Sequence, residues 1–332
     1  MPGVRIALDS AGGDRAPKVN LEGALMALKE FPDLEILLVG RQEELSLGLK
    51  GYPEASRIKI VDAREVFPMS EKPSLLLRKK ETSLYITALQ VKEGVADAMV
   101  SAGNTGGVLV AALFVVGRIK GVERGAIAVK IPSKNGYTIL IDAGANAEVR
   151  AEHLRDFGLM GYEYARFLGR EPAKVGLLNV GEEEEKGTEL TKTAFNYLKS
   201  ELGESFVGNV EGRDINFGEV DVIVSGGFEG NVALKAIEGA GKLISQRLRE
   251  EIKKSGIAGL FGALLLKKAL GRLRNSMNPS EYGGAFILGV RGVVSKAHGN
   301  SDSLAIKNAI RVAYEGVEGE LVEKLGKRFG GK

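Results

Sequence analysis

The sequence predicts an α/β protein in which a mostly parallel sheet carries helices on both faces, and two observations predict it. Strand-like apolar runs alternate with helical patterns over most of the 332 residues, as a parallel sheet with crossover helices requires. Five of the apolar runs also stop in Gly/Asn-rich loops: VSAGNTGG at 100–107, LIDAGANAE at 140–148, LLNVGEEEEKG at 177–187, FVGNVEG at 206–212 and VSGGFEGNVALK at 224–235. In a parallel sheet such loops sit at the carboxyl ends of strands, where backbone NH groups and helix N-termini converge on one crevice and favour an anionic ligand. The 45 glycines, about twice the ordinary share of roughly 7%, supply the close main-chain approach that such a site needs.

In chain order, strands are expected at VRIALD (4–9), EILLVG (35–40), IKIVDA (58–63), DAMVSAG (97–103), AIAVKI (126–131), YTILID (137–142), KVGLLNV (174–180) and DVIVSG (221–226). Between them, LEGALMALKEF (21–31) and the segment from Pro73 to Glu93 place apolar residues three and four apart, which predicts helices. A longer helix is expected from Asn231 to Lys254. The fifth and sixth runs are separated only by PSKNG (132–136), a hairpin loop with a turn-forming Asn-Gly, which suggests an antiparallel excursion off the main sheet. The length exceeds the roughly 250 to 300 residues over which single cores grow, so a single bilobed unit over 1–332 is expected. No Pro/Ser-rich linker, repeat or low-complexity tract divides it.

Within Gly256 to Arg274, Ile257, Leu260, Phe261, Leu264 and Leu265 form one helical stripe followed by Lys267, Lys268, Arg272 and Arg274. The apolar stretch is shorter than the about 20 residues a bilayer crossing needs. A core helix, a dimer contact and a helix lying in a membrane interface all fit this pattern.

Composition narrows the function classes. A net charge of +3 from 46 basic and 43 acidic residues is too balanced to imply nucleic-acid binding, so any basic partner surface must be local. Zero cysteines exclude a thiol nucleophile and Cys-ligated zinc. The N-terminus enters a strand without a charged leader or apolar h-region, which makes a cytoplasmic location the expectation. No P-loop, no G-x-G-x-x-G after the first strand and no G-x-S-x-G elbow occurs, weakening nucleotide hydrolase, dehydrogenase and α/β-hydrolase readings.

The loops offer specific chemistry. DSAGGD brackets Gly12-Gly13 with Asp9 and Asp14 ahead of Ala16-Pro17, and each carboxylate suits a cap, a metal ligand or a catalytic acid; no metal cluster stands out. SAGNTGG offers Ser101, Asn104 and Thr105 with Gly103 and Gly106 at a helix start, suited to a phosphate or an oxyanion. DAGAN adds Asp142, Gly144 and Asn146, and FEGN adds Gly230 and Asn231. In GEEEEKG the charge run reads as solvated, yet Lys186, with Gly181, lies at a strand-to-helix junction where an ammonium can neutralise a phosphate. His153 sits in a helical pattern and reads as a packing or surface residue, whereas His298 lies in a loop between a strand and a helix.

Taken in order, IALDSAGGDRAP, VSAGNTGG, IDAGANAE with EHLRDFGLMG, VGLLNVGEEEEKG, GNVEGRDI, GGFEGNVALKAIEG and YGGAFILGVRGVVSKAHGNS resemble the PlsX-type phosphate acyltransferases of bacterial phospholipid synthesis over essentially the whole chain. The resemblance implies transfer of a long-chain fatty acyl group from acyl-carrier protein to inorganic phosphate, without a cofactor. It implies a three-layer α/β/α sandwich similar to the isocitrate dehydrogenase and phosphotransacetylase group, and a homodimer. It also implies a cytoplasmic enzyme held peripherally on the membrane, handing its product to a membrane glycerol-3-phosphate acyltransferase. On that basis Gly256 to Arg274 reads as a lipid anchor, with Leu260, Phe261, Leu264, Leu265, Lys267 and Lys268 at the membrane. The chain departs from the family pattern at Gly226, where an Asp is usual, and more mildly at Ala11 and at Arg124-Gly125-Ala126.

Phosphate is already a nucleophile at neutral pH, and a thiol of pKa about 8.5 leaves readily. An enzyme that holds both reactants and stabilises the oxyanion therefore needs no covalent intermediate. Loop position places Asn104, Thr105 and Lys186 near phosphate, Asn146 and Asn231 near the oxyanion, and His298 as a proton donor. Asp9, Gly12, Gly13, Asp14, Ser101, Gly103, Gly106, Asp142, Gly144, Gly181 and Gly230 are expected to line the substrates. A phosphotransacetylase using a small acyl-CoA and a non-catalytic membrane scaffold are the alternatives.

Overall fold

Short apolar runs with two-residue alternation build the centre of the computed structural model, which describes residues 3–276 and 283–330. The strands are β1 (Arg5–Asp9), β2 (Glu35–Gly40), β3 (Ile58–Asp62), β4 (Ala98–Ser101), β5 (Ala126–Ser133), β6 (Gly136–Ile141), β7 (Val175–Leu178), β8 (Phe206–Val210), β9 (Val222–Val224), β10 (Ala285–Leu288) and β11 (Val293–Lys296). They form one eleven-stranded sheet in the order β3-β2-β1-β4-β11-β10-β5-β6-β9-β7-β8. The helices are α1 (Lys18–Glu30), α2 (Gln42–Gly48), α3 (Ser83–Lys92), α4 (Thr105–Val110), α5 (Ala151–Phe167), α6 (Glu189–Leu202), α7 (Gly227–Lys254), α8 (Gly256–Leu265), α9 (Lys267–Ser276), α10 (Ser303–Glu318) and α11 (Leu321–Phe329).

Alternation sorts the side chains into two cores, one on each face. Ile6, Leu8, Val100, Ala128, Ile141, Val224 and Phe286 pack under α1, α5, α6, α10 and α11. Met99, Ile127, Leu140, Ile223, Ile287 and Val294 pack under α3, α4 with its π-helical continuation Ala111–Val116, and the first half of α7. The sheet is therefore the middle of three layers, as expected.

Three antiparallel pairings, β11 with β10, β10 with β5 and β5 with β6, occupy the centre of the sheet. The hairpin around PSKNG is thus no excursion: β6 continues as the parallel neighbour of β9. Three reversals make β6, β7, β8 and β9 run opposite to β1 to β4 and β11. The loop groups therefore leave the sheet in opposite directions rather than side by side as in a purely parallel sheet. The loops after β1, β4 and β11 leave one edge of the sheet, and those after β6, β7 and β9 leave the other. FVGNVEG is also corrected, because Phe206–Val210 is itself the edge strand β8, paired with β7. The segment from Pro73 to Glu93 is broken into a 3-10 turn, Pro73–Arg78, and α3, which begins after Thr82.

Helices α8 and α9 follow the distal part of α7 as an arm in which apolar side chains face solvent. Ile257 is 89% exposed, Phe261 62%, Leu264 64% and Leu265 71%. That excludes the core-helix reading of the stripe within this chain. Lys267 and Lys268 are exposed at the start of α9; the side chains of Leu260 and Arg274 lie outside the described residues. Among the described residues, no helix is long and apolar enough to cross a membrane.

Candidate active site

At the first edge, Asp9 closes β1 as a fully buried carboxylate. Ser83 Oγ donates to its Oδ1 at 2.7 Å and Ser101 Oγ to its Oδ2 at 2.7 Å. Burial pushes the Asp9 carboxyl above the usual range, opposed by these two hydroxyls and by the NH groups of Ala11 and Gly12. Ser101 Oγ also accepts from the Gly103 NH at 3.0 Å, so it is neither exposed nor unpaired, and a nucleophilic role is closed to it. A methyl at Gly12 would lie 2.6 Å from Asp9 Oδ2 and 2.8 Å from the Gly103 nitrogen. Only glycine lets the β1 and β4 loops meet this closely. Asn20 on α1 fastens the same turn, donating to the carbonyls of Ser10 at 2.8 Å and Gly12 at 2.9 Å. The Asp14 NH donates to Gly299 O at 2.8 Å, joining Gly13 and Asp14 to the loop that carries His298.

Asn104 does not serve as the expected phosphate donor. Its Nδ2 donates to Met69 O at 2.7 Å and Glu71 O at 3.1 Å, and its Oδ1 caps α4 by accepting from the Gly107 NH at 2.9 Å. The amide is consumed in fastening the loop. Gly106 presses against the Pro73 ring, and Thr105 stands exposed beside it.

At the opposite edge, the buried Asp142 organises DAGAN from within. Its Oδ1 accepts from the NH groups of Ile127 at 3.0 Å, Gly144 at 3.1 Å and Ala145 at 2.9 Å. Its Oδ2 accepts from the Asn146 NH at 2.8 Å and from Asn146 Nδ2 at 2.9 Å. Burial raises the carboxyl while these donors pull it down. Asn146 Nδ2 donates also to Gly125 O at 2.8 Å, so both amide hydrogens are committed and the expected oxyanion role is not available to them. Asp142 is likewise a loop organiser rather than a substrate contact. Gly230 lets α7 settle on this loop, since a methyl there would lie 2.0 Å from Asp142 O. Asn231 is exposed against Gly144, with no side-chain hydrogen bond among the described residues.

The loop after β7 buries Gly181 and leaves Lys186 exposed. Asn179 Nδ2 holds it through Lys186 O at 3.1 Å, and Asn209 Nδ2 through Glu183 O at 2.8 Å. Glu184 pairs with Lys199 at 2.8 Å and Glu182 with Arg213 at 3.3 Å. The acidic run is thus tied to its neighbours while Lys186 has no ion pair among the described residues.

Helix α7 links the two edges. It starts over Asp142 and, running antiparallel to β9, brings Lys235, Glu238 and Lys242 toward the end of β11. Burial, then the charges of Lys296, Lys235 and Lys242, holds the His298 imidazole below its ordinary range, against Glu238. The side chain itself is exposed beside Gly299, open to a substrate in that loop. His153 is buried in the first turn of α5, its Nδ1 accepting from the Arg150 NH at 3.1 Å, as its helical setting suggests.

Gly226 replaces a side chain but not the charge. A methyl built on Gly226 would lie 2.4 Å from Glu229 Oε2, so the Glu229 carboxylate fills the space an Asp at 226 would use. Gly226→Asp alone is expected to lower the melting temperature and activity through like-charge contact, and adding Glu229→Thr to recover both. A double-mutant cycle by thermal melting should show coupling of about 0.5 to 3 kcal/mol; strict additivity would separate the two positions.

Sequence reading missed Ser83, Asn20, Glu229, Lys235 and Lys296. The spacing in SKAH, which puts Lys296 at a strand end two residues before His298, was the available signal. Among the described residues, no group of three or more His, Asp or Glu side chains is placed to hold a metal ion.

The family model described as "Fatty acid synthesis protein" matches residues 4–324. A phosphate acyltransferase of Fervidobacterium nodosum is 53% identical over 330 residues, covering 98% of each chain. One of Thermotoga maritima is 48% identical over 322 residues, covering 97% of this chain and 96% of its own. Among solved structures, a phosphotransacetylase from Streptococcus pyogenes aligns with TM-score 0.66 at 15% identity, over 95% of this chain and 94% of that one. A branched-chain phosphotransacylase from Enterococcus faecalis aligns with TM-score 0.57 at 15% identity, over 95% and 99%. These two likenesses are of fold.

Proposed function

The chain belongs to the phosphate acyltransferase family of fatty acid synthesis proteins, and from that premise we propose that it transfers a long-chain acyl group from acyl-carrier protein to inorganic phosphate. The full-length identity to relatives of that name carries the reading. The site geometry supports it in two ways. Ser83 and Ser101 are bound to Asp9 and buried, and the chain has no cysteine, which favours direct attack of phosphate on the thioester over transfer through a serine or thiol of this loop group. The two loop groups are also far apart, since β4 and β6 lie four strands from each other, about 19 Å at the usual strand spacing, a span that a long, extended thioester bridges better than a compact one. Thr105 on one side, and Asn231 and Lys186 on the other, keep side chains free for substrate.

The exposed Leu243, Ile244 and Leu248 of distal α7 suit contact with a second copy of the chain. The apolar face of α8, flanked by Lys267 and Lys268, suits an anionic membrane surface where an amphiphilic acyl phosphate can pass to a membrane acyltransferase. A small acyl-CoA is the second reading, favoured by the fold likeness to phosphotransacetylases. Acyl phosphate formation from long-chain acyl-carrier protein and from acetyl-CoA, measured side by side, separates them. Turnover with acyl-carrier protein and little with acetyl-CoA is expected; the reverse overturns the reading, and no turnover with either leaves a scaffold.

A further inference from the structure

We propose that Lys296 is a phosphate-binding residue of the active site, its ammonium holding inorganic phosphate over the centre of the sheet between the two loop groups. The inference rests on the phosphate acyltransferase reading.

Lys296 closes β11 on the rung that also holds Asp9 and Ser101: Asp9 pairs with Ser101, Ser101 with Lys296, and Lys296 with Ala285. Side chains paired across a rung share a face, and Val294 and Ala285 place this one under α7 and the α4 helix. Lys296 therefore projects between the helix that starts over Asp142 and the loop fastened by Asp9. It is half-buried and has no hydrogen bond or ion pair among the described residues. The acid that α7 brings near it, Glu238, is already bound to Lys235 Nζ at 2.8 Å. The charged groups acting on Lys296 are Lys235 and Glu238 on α7, with His298 two residues further along its own strand end. Two lysines around one carboxylate that is already engaged leave an unmatched positive charge where the nucleophile must sit. A partly desolvated cation without a partner is costly unless a ligand supplies the anion. Burial first, then Lys235, lowers the Lys296 ammonium to about 8.

Because its pKa in the folded protein is depressed, Lys296 is charged below about 8 and loses its proton above it. Phosphate affinity should therefore fall by about tenfold per pH unit above that point, while Lys296→Arg, charged throughout, should hold it to pH 9.5. Lys296→Gln should raise the phosphate KM about 10- to 100-fold, the loss of one charge-assisted contact, with the KM for acyl-carrier protein unchanged within about twofold. Thermal melting checks that each variant folds, and calorimetric titration with inorganic phosphate reads binding without turnover. Binding to the parent and to Lys296→Arg but not to Lys296→Gln supports the site, even if the parent makes no acyl phosphate and the functional reading fails. Equal phosphate binding by parent and Lys296→Gln, or no binding to either, overturns it, as does a Lys296→Arg variant that loses phosphate while folding normally.

Discussion

Replacing Asp142 by Ala should destabilise the protein by about 3 to 5 kcal/mol, the summed cost of leaving its buried NH donors without an acceptor at about 1 to 3 kcal/mol each. The carboxylate receives the NH groups of Ile127, Gly144, Ala145 and Asn146 and the Asn146 amide. The donors from Ile127 and Asn146 are buried and have no solvent to turn to. Asp142→Asn should cost nearly as much, because one side-chain oxygen is replaced by an NH2 group that faces donors. Thermal melting should show a fall of roughly 5 to 15 °C for the Ala variant. A melting point within a degree of the parent would show that the loop is held by something else.

Changing Leu264 and Leu265 together to Glu should release the protein from anionic vesicles. Both side chains are solvent-exposed at the apolar end of α8. Burying each in lipid contributes about 1.5 to 3 kcal/mol, so losing both should lower vesicle partitioning by about 100-fold or more. Flotation with vesicles containing anionic lipid reads the effect, and parent binding should weaken as salt rises. Turnover in detergent-free soluble assay should stay near that of the parent, because the arm lies beyond the loops of the site. If vesicle binding is undetectable in the parent and the substitutions split a dimer instead, α8 is a subunit contact.

Most strands were legible because their side chains alternate or run apolar between glycine-rich stops, and β1 to β9 fall where such runs predict them, β8 excepted. That strand was hidden by Gly208 and Asn209, which signal a turn in isolation but here sit in an edge strand. Sheet polarity was legible only in part. The antiparallel strand β10 carries only the four residues Ala285–Leu288, too few to announce a direction, and its reversals against β11 and β5 cancel. The β5–β6 hairpin, whose Asn-Gly turn was visible, turns half the loops to the far edge because β6 then pairs parallel with β9. Site residues were found by loop type, but their roles depend on where each amide hydrogen goes. Asn104 and Asn146 read as substrate donors and prove to be fasteners, whereas Asn231, of the same residue type, stays open. Lys296 was passed over because a lysine at the end of a strand is ordinary until α7 is laid across it.

The central claim is direct attack of phosphate on the thioester, and a single-turnover experiment with radiolabelled acyl-carrier protein tests it most directly. With enzyme in excess and no phosphate, the thioester should persist and no acyl label should remain on the denatured enzyme. Adding phosphate should release one thiol for each acyl phosphate formed. Thiol release before phosphate is added, with the acyl group retained on the enzyme, would contradict the account.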